Sequence, residues 1–327
     1  MAGSSGGNLF LNCTIHAEGN IKVLHSALIF LSKINNDVTL EVLNNEIILR
    51  ALNDAKSSFA AVSFERDFFT DLQTTSTTQN LDAPPGNISQ TSQAVKQRTS
   101  ALFNARALAN AIKVSKNLVS AQLYFAIQGA NHVFVVVLKQ RNNVTRTHSL
   151  TYNDTEIIQA VFDRETAKNS LIGPPMLIER LVGRIQGTDE VSLLALSGCA
   201  QMQGFHESSI ESTVRGAVHT SVALETSVFD KFVISLSQTS VESQQVMPLN
   251  VTFSVREVRH LISFSKTAGI DSEELAVFFD DPGSPVLFST RGVVHKTFKA
   301  DLIVATLEQS VQPATGSPLA VLILGKR

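Results

Sequence analysis

The alternation of apolar and polar residues changes period between residues 251 and 288. Apolar residues alternate with polar ones over 251–255, as in a half-buried strand, whereas residues 258–265 carry apolar positions three and four apart, as on one helix face. Gly269 follows as a C-terminal helix cap, because glycine adopts positive φ without a Cβ clash. A turn at 281–283 then separates two further alternating runs. This stretch predicts a strand, a helix and a hairpin in that order.

The same two periods recur along the rest of the chain. Helical spacing predicts three more helices, at 21–34, at 101–116 and from 174 to 185, the last opened by a Pro-Pro pair. Period-two alternation and turn residues predict strands at 8–16, 38–42, 47–51, 59–64, 121–127, 133–138, 145–152, 191–196, 201–206 and 214–224. Residues 73–100 are rich in Thr, Gln, Ser and Asn and predict a polar insertion with little regular structure.

The second half of the sequence repeats the first. A spaced apolar motif returns after 160 residues, with Val62, Phe64, Phe68 and Phe69 matched by Val222, Leu224, Val228 and Phe229. Each half also runs helix, strands, helix, strands. We therefore predict an N-terminal domain over 1–152, a connecting linker over 153–173, a C-terminal domain over 174–310 and a short tail over 311–327.

Each of the four predicted helices carries cations on one side, and acids are nearly absent from those sides. One such helix usually has only a solvated face, but the arrangement recurs in all four. Exposed Lys and Arg are the chemistry that binds DNA phosphates without reading the bases. The predicted DNA-facing residues are Lys22, Lys33, Arg106, Lys113, Lys116, Arg180, Arg184, Arg256, Arg259 and Lys266. Glu179 and Glu257 adjoin cations in sequence, which places them about 100° round the helix.

Composition narrows the function classes further. Hydrophobic residues make up 43% of the 327 and charged residues 17%, as expected of a folded globular protein. The net charge of −2 does not by itself indicate a nucleic-acid partner, although a local cationic patch would still attract phosphates within roughly 8–10 Å. Cys13 and Cys199 are the only thiols, too few for a disulfide framework or a thiolate zinc site. We predict no cofactor, no metal and no membrane partner, and the N-terminus shows no secretory signal pattern.

Several segments together resemble the Rad-nine family. The most specific are the Arg-Glu-x-Arg-x-Leu-Ile-Ser-Phe run within 251–268 and the Phe-Asp-x-Pro-Gly-x-Pro run within 278–288. The others are GNIKVL (19–24), LSKI (31–34), RALNDAKSSFAAVSFERDFF (50–69), RTHSL (146–150), QAVFD (159–163), FHE (205–207) and VATL (304–307). The resemblance covers nearly all of residues 8–310 in order.

The resemblance implies a fold, a role and partners. The fold would be an α+β DNA-clamp fold related to proliferating cell nuclear antigen, with two similar domains, two helices each on the inner face and antiparallel sheets outside. The chain would form a heterotrimeric checkpoint ring in the nucleus with Rad-one-like and Hus-one-like subunits. A clamp loader would place it on double-stranded DNA, where it would support checkpoint kinase activation. Repair enzymes would bind beside the linker residues Ile157, Val161 and Phe162, and ring closure would use the edge strands 145–152 and 214–224. The family pattern also implies a long acidic, Ser-rich, phosphorylated tail. This sequence departs from that pattern, because residues 311–327 contain no acidic residue and include the apolar run 319–324.

Three other functions remain open at this point. A homotrimeric replication clamp would share the fold but lack the specific runs. A nuclease would need clustered carboxylates, and Asp280-Asp281 is better explained as turn chemistry. No nucleotide-binding loop, serine-hydrolase elbow or zinc-protease motif occurs in the sequence. If the protein were an interaction scaffold without DNA contact, reversing the charge of the helix cations would leave its loading on DNA unchanged.

Overall fold

The computed structural model describes residues 11–16, 18–74, 99–128, 131–196, 198–207, 217–235, 249–270, 273–291, 297–307 and 322–324. Side chains are described in these ranges except at 99, 205–207, 217–219 and 322–324. Most of the predicted polar insertion, residues 75–98, lies outside the described residues. Among those described, no helix has the length and apolar character needed to cross a membrane.

The described part of the first half contains two helices and ten strands. In chain order they are β1 (Leu11–Ile15), α1 (Glu18–Ile34), β2 (Asp37–Leu43), β3 (Glu46–Leu52), β4 (Ser58–Glu65), β5 (Asp71–Thr74), β6 (Thr99–Asn104), α2 (Ala105–Ala111), β7 (Leu118–Gln128), β8 (Asn131–Gln140), β9 (Thr145–Thr151) and β10 (Asn153–Asp154).

The second half has the same sequence of elements, followed by one short strand. They are β11 (Asn169–Gly173), α3 (Pro175–Val182), β12 (Glu190–Ala195), β13 (Cys199–Glu207), β14 (Ala217–Glu225), β15 (Lys231–Val233), β16 (Leu249–Ser254), α4 (Arg256–Ala268), β17 (Glu274–Phe279), β18 (Val286–Arg291), β19 (Phe298–Val304), β20 (Thr306–Leu307) and β21 (Leu322–Leu324).

Strand order shows that the two halves are copies of one unit. The first half orders its strands β5-β1-β7-β8-β9 and β10-β6-β2-β3-β4, and the second half repeats both orders with every strand number raised by ten. The 3-10 turns at Arg66–Phe68 and Thr226–Val228 are displaced by the 160 residues that the apolar motif predicted. The duplication read from a few residues is therefore present in the backbone.

One strand pair joins the halves into a continuous sheet. β4 of the first half pairs antiparallel with β19 of the second, with Val62 opposite Ala300 and Phe64 opposite Phe298. All four side chains are buried. We call the β4–β19 pair the internal joint; it extends a ten-stranded sheet across both halves.

Local sequence explains where the helices begin and end. The predicted apolar stripe of α1, which includes Ile21, Leu24 and Leu28, is buried. Pro175 is the first residue of α3, where a missing N–H costs nothing. Gly269 caps α4 with φ 75°, as its sequence position predicted.

The second predicted helix is shorter than expected. Residues 101–104 belong to strand β6, which pairs with β2, and α2 begins only where the Asn104 side chain caps the Ala107 N–H. Buried Ala101 and Phe103 alternate with less buried neighbours, so this stretch fits a strand once a neighbouring strand is present. Strands β10 and β11 occupy both ends of the predicted linker, so its part without regular structure spans 155–168.

Candidate nucleic-acid interface

The four helices lie side by side in one layer, which we call the helix layer. α2 lies beside α1, α1 beside α4, and α4 beside α3. Between the halves, Phe30 of α1 stacks on Phe264 of α4 with ring centroids 5.6 Å apart. Helices α1 and α4 pack on the strands of the internal joint, so the layer crosses from one half to the other on the sheet.

The predicted cations are distributed along the helix layer, and most of them are exposed to solvent. The exposed ones are Lys22, Lys33, Arg106, Lys113, Lys116, Arg180, Arg184, Arg256 and Lys266. Lys113 and Lys116 follow the end of α2 rather than lying on it, because the helix stops at Ala111. The structure therefore brings cations from all four helices or their ends to one layer.

Two of the predicted cations hold α4 against α3. Arg259 is half-buried, and its Nη2 donates a hydrogen bond of 2.6 Å to the carbonyl oxygen of Ile185, just after α3. Lys266 Nζ lies 2.6 Å from Glu179 Oε1 on α3. The sequence placed Glu179 away from the cations of its own helix, but a neighbouring helix supplies the cation that it meets.

Arg256 is exposed but also paired. Its Nη2 lies 2.9 Å from Oε1 of Glu257, a residue only 1% exposed, and Ser254 donates to the other carboxylate oxygen at 2.7 Å. Burial acts to raise the pKa of Glu257, but the hydrogen bonds from Ser254 and Arg256 outweigh it and hold that pKa below its usual value. Arg256 thus contributes less net positive charge than the sequence suggested.

Sequence reasoning missed a groove between α1 and α4, which we call the junction groove. It has a volume of about 170 Å³ and is lined by residues of both helices: His25, Ser26, Ile29, Phe30, Lys33, His260, Ser263, Phe264 and Thr267. His25 and His260 are half-buried there. A lone histidine in a sequence gives no sign of a second one on a distant helix, so this pair had no sequence signal.

The linker between the halves is anchored near its start and again at Arg164. Ser100 Oγ donates to the Thr155 carbonyl at 2.5 Å, and Arg164 Nη2 donates to Asp301 Oδ1 of β19 at 2.6 Å. Between these anchors Val161 is 86% exposed and Ile158 59%. Of the other predicted linker residues, Ile157 and Phe162 are half-buried.

A cavity of about 230 Å³ lies between the linker and the first-half strands of the ten-stranded sheet. Its lining includes Leu102, Thr155, Ile158, Phe59 and Arg50. Arg50 forms an ion pair with Glu41 at 2.5 Å, and both side chains are at most one-tenth exposed. The cavity therefore combines apolar side chains with polar groups, among them the exposed Asp37 and the buried, ion-paired Arg50.

Comparison with known proteins decides the family. The model of the Rad9 family matches residues 24–307. The chain belongs to the Rad9 family. Among curated relatives, "DNA repair protein rad9" of Schizosaccharomyces octosporus is 21% identical over 306 residues, covering 88% of this chain and 68% of that protein. "Cell cycle checkpoint protein hpr-9" of Caenorhabditis elegans is 21% identical over 295 residues, covering 89% of this chain and about half (51%) of that protein.

Solved structures place this Rad9-family chain in the sliding-clamp fold. PCNA from Thermococcus kodakaraensis aligns with a TM-score of 0.60 at 11% identity, covering 90% of this chain and 99% of that one. The PCNA2–PCNA3 complex from Sulfolobus tokodaii gives a TM-score of 0.60 at 10% identity, over 90% and 98% of the two chains. These likenesses confirm the predicted α+β clamp fold.

Two strands of this Rad9-family chain, β9 and β14, lie at or next to the edges of two separate sheets. β9 is the edge strand of the five-stranded sheet β5-β1-β7-β8-β9 and has no further partner among the described strands. β14 lies next to the edge of the six-stranded sheet, where β21 pairs with it in parallel at Val222 to Leu224. The edge predicted to meet a neighbouring subunit is thus partly covered by three residues of the same chain.

The carboxylates that a nuclease would use are occupied in this Rad9-family chain. Asp280 accepts a hydrogen bond from the Lys168 backbone N–H at 2.7 Å, and Asp281 Oδ2 lies 2.5 Å from Lys168 Nζ. Within the described ranges, no group of three or more His, Cys, Asp and Glu side chains is placed to hold a metal ion. Asp280 and Asp281 thus fasten the end of the linker to the second half.

Proposed function

We propose that this Rad9-family protein is a non-catalytic subunit of a heterotrimeric ring that encircles DNA and serves DNA repair and checkpoint signalling. The observation that carries the proposal is the internal joint. β14 is the second-half counterpart of β4, and β9 is the first-half counterpart of β19. The two strand types that pair inside the chain therefore also stand at its two outer edges.

Repeating the internal joint between chains gives a closed assembly. A head-to-tail contact that uses different surfaces on its two sides forms a ring when the rotation closes. With β14 of one subunit paired to β9 of the next, each new joint would copy the one already present within the chain. Pairing exposed edges also removes a site of unwanted strand association.

The same repetition extends the helix layer around the ring. Within the chain α1 lies beside α4 at the internal joint, so α3 of one subunit would lie beside α2 of its neighbour. The exposed cations would then line the enclosed space and contact phosphates irrespective of sequence. A sliding clamp needs this chemistry, because it must hold the duplex without fixing it at one site.

We take the partners of the proposed ring from the family resemblance. We assign Rad-one-like and Hus-one-like chains as the other subunits, a clamp loader as the assembly factor, and the nucleus as the location. Repair enzymes would bind at the linker cavity beside Ile157, Val161 and Phe162, and the ring would support checkpoint kinase activation. The names of the relatives, a DNA repair protein and a cell cycle checkpoint protein, support this assignment. We propose two clamp domains that extend the predicted 1–152 by β10 and the predicted 174–310 by β11.

Co-purification with light scattering tests the proposal. The chain alone should remain a monomer, and mixing it with Rad-one-like and Hus-one-like chains should give a complex with one copy of each. A homotrimer of the chain alone would instead indicate a replication clamp. Failure to assemble under either condition would overturn the ring.

A further inference from the structure

The junction groove concentrates hydrogen-bond donors on the exposed side of the helix layer. Phe30 and Phe264, stacked on each other, are among its apolar lining residues, while Lys33, His25 and His260 supply its charged and titratable groups. Ser263 is exposed and adds a hydroxyl to the lining of the groove. At about 30 Å³ of liquid volume per water, the groove of about 170 Å³ holds several waters and admits a hydrated anion.

The charges that face the two histidines are mostly positive. Lys113, after α2, faces His25. Lys33 of α1 and Arg256 and Glu257 of α4 face His260. Glu257, the one acid in this set, already accepts hydrogen bonds from Ser254 and Arg256. A cavity with donors, surrounding cations and an engaged carboxylate has the chemistry of an anion site.

We propose that the junction groove binds one phosphate group of the DNA backbone, held by Lys33, His25 and His260, and binds it more tightly as the imidazoles take up protons. The DNA source rests on the proposed clamp function, whereas the anion site itself does not. Because the groove lies where the two halves meet, this phosphate would touch both copies of the duplicated unit.

The direction of the pH effect follows from the surroundings of the histidines. Burial and then Lys113 lower the pKa of His25, and burial and then Lys33 lower the pKa of His260, against a smaller opposing effect of Glu257. Both imidazoles are therefore mainly neutral at pH 7 in the empty groove. A bound phosphate favours the charged form and raises both pKa values, so binding takes up protons. Affinity should increase as the pH falls, by at most about tenfold per pH unit for each coupled proton.

A first experiment tests the anion site without requiring a ring. Inorganic phosphate is titrated into the full chain while the imidazole signals are followed by NMR. We expect saturable shifts of His25 and His260 and an increase in their pKa values, with no change at exposed His132. Shifts of equal size at all three histidines, or none at His25 and His260, would overturn the site.

A second experiment tests DNA as the source of the phosphate. Duplex binding by the assembled ring is measured between pH 7.5 and 6.0 for the natural chain, for the double variant His25→Gln/His260→Gln and for the control His132→Gln. The natural chain and the control should gain about three- to tenfold in affinity over this range beyond the gain of the double variant. Equal pH dependence of all three proteins, with phosphate binding intact, would overturn the DNA backbone as the ligand while leaving the ring itself untouched. Thermal unfolding of each variant shows whether the fold is preserved.

Discussion

Removing three exposed cations of the helix layer should flatten the salt dependence of DNA binding. Lys22→Gln, Arg106→Gln and Arg180→Gln each remove one charge from a different helix, and none of these side chains forms a salt bridge with a described residue. Each phosphate contact contributes about 0.9 to the slope of log affinity against log salt, so three lost contacts reduce the slope by up to ~2.7. Between 50 and 200 mM salt, that reduction corresponds to a ~40-fold smaller change in affinity.

The assay is fluorescence anisotropy of a labelled duplex with the assembled ring at four or more salt concentrations. The matched control is the triple variant Lys56→Gln, Lys139→Gln and Lys231→Gln, which makes the same charge change at exposed lysines carried by strands and turns. The control should keep the natural slope to within about one phosphate contact, or ~0.9.

Equal loss of slope in both triple variants would refute the reasoning, because it would mean that DNA responds to total charge and not to the helix layer. An unchanged slope in the first variant would place DNA elsewhere. Lys266→Gln should have a smaller effect than Lys22→Gln, since Lys266 is already paired with Glu179.

Four further outcomes follow from contacts seen in the structure. Phe264→Ala, which removes a buried ring stacked on the opposite half, should lower the free energy of unfolding by about 3–5 kcal/mol in urea titrations, and a loss below about 1 kcal/mol would contradict the role of the stack. Because the pKa of Glu257 is lowered by folding, its carboxylate stabilises the fold above the unfolded pKa of about 4.3 and loses that effect as the pH falls through the folded pKa. The stability difference between the natural chain and Glu257→Gln should therefore shrink in acid-unfolding curves, and a constant difference would argue against it. Asp301→Asn, which weakens the Arg164 anchor, should speed hydrogen exchange over residues 156–163, and unchanged exchange would show that the linker is held otherwise. Deleting residues 308–327 uncovers the β14 edge and should tighten association with the neighbouring subunit, whereas equal affinity would show that β21 does not compete.

The features that sequence alone predicted are those set by local spacing. The apolar stripe of α1, the positive φ of Gly269 and the repeat linking Val62 to Val222 each depend on residues a few positions apart or on one fixed displacement. Such predictions hold in the folded protein because the burial of one face of a helix or strand does not depend on which element covers that face. The family resemblance was likewise confirmed over residues 24–307.

The features that sequence could not supply depend on which elements become neighbours. Leu102 fits a helical stripe with the residues after it, yet pairing with β2 makes it part of a strand. Arg259 and Lys266 look like free cations until α3 is placed beside α4. His25 and His260 become one site only when α1 and α4 cross between the halves.

The side chains at the internal joint and at the outer edges favour unlike subunits over three copies of this chain. At the internal joint the core-facing residues are apolar on both strands, as with Phe64 opposite Phe298. β14 carries the same kind of buried face, including Val222 and Leu224. On β9, Arg146 and His148 lie on the same face as Leu150. Arg146 Nη2 donates to the Lys113 carbonyl at 3.4 Å, and Arg146 Nε is buried without a partner among the described residues. Self-pairing would set the apolar face of β14 against a strand that carries Arg146 and would leave that guanidinium to be desolvated. In the proposed ring, a different chain with an apolar edge would suit β14 and one with polar or acidic groups would suit β9, so each edge would select its own partner.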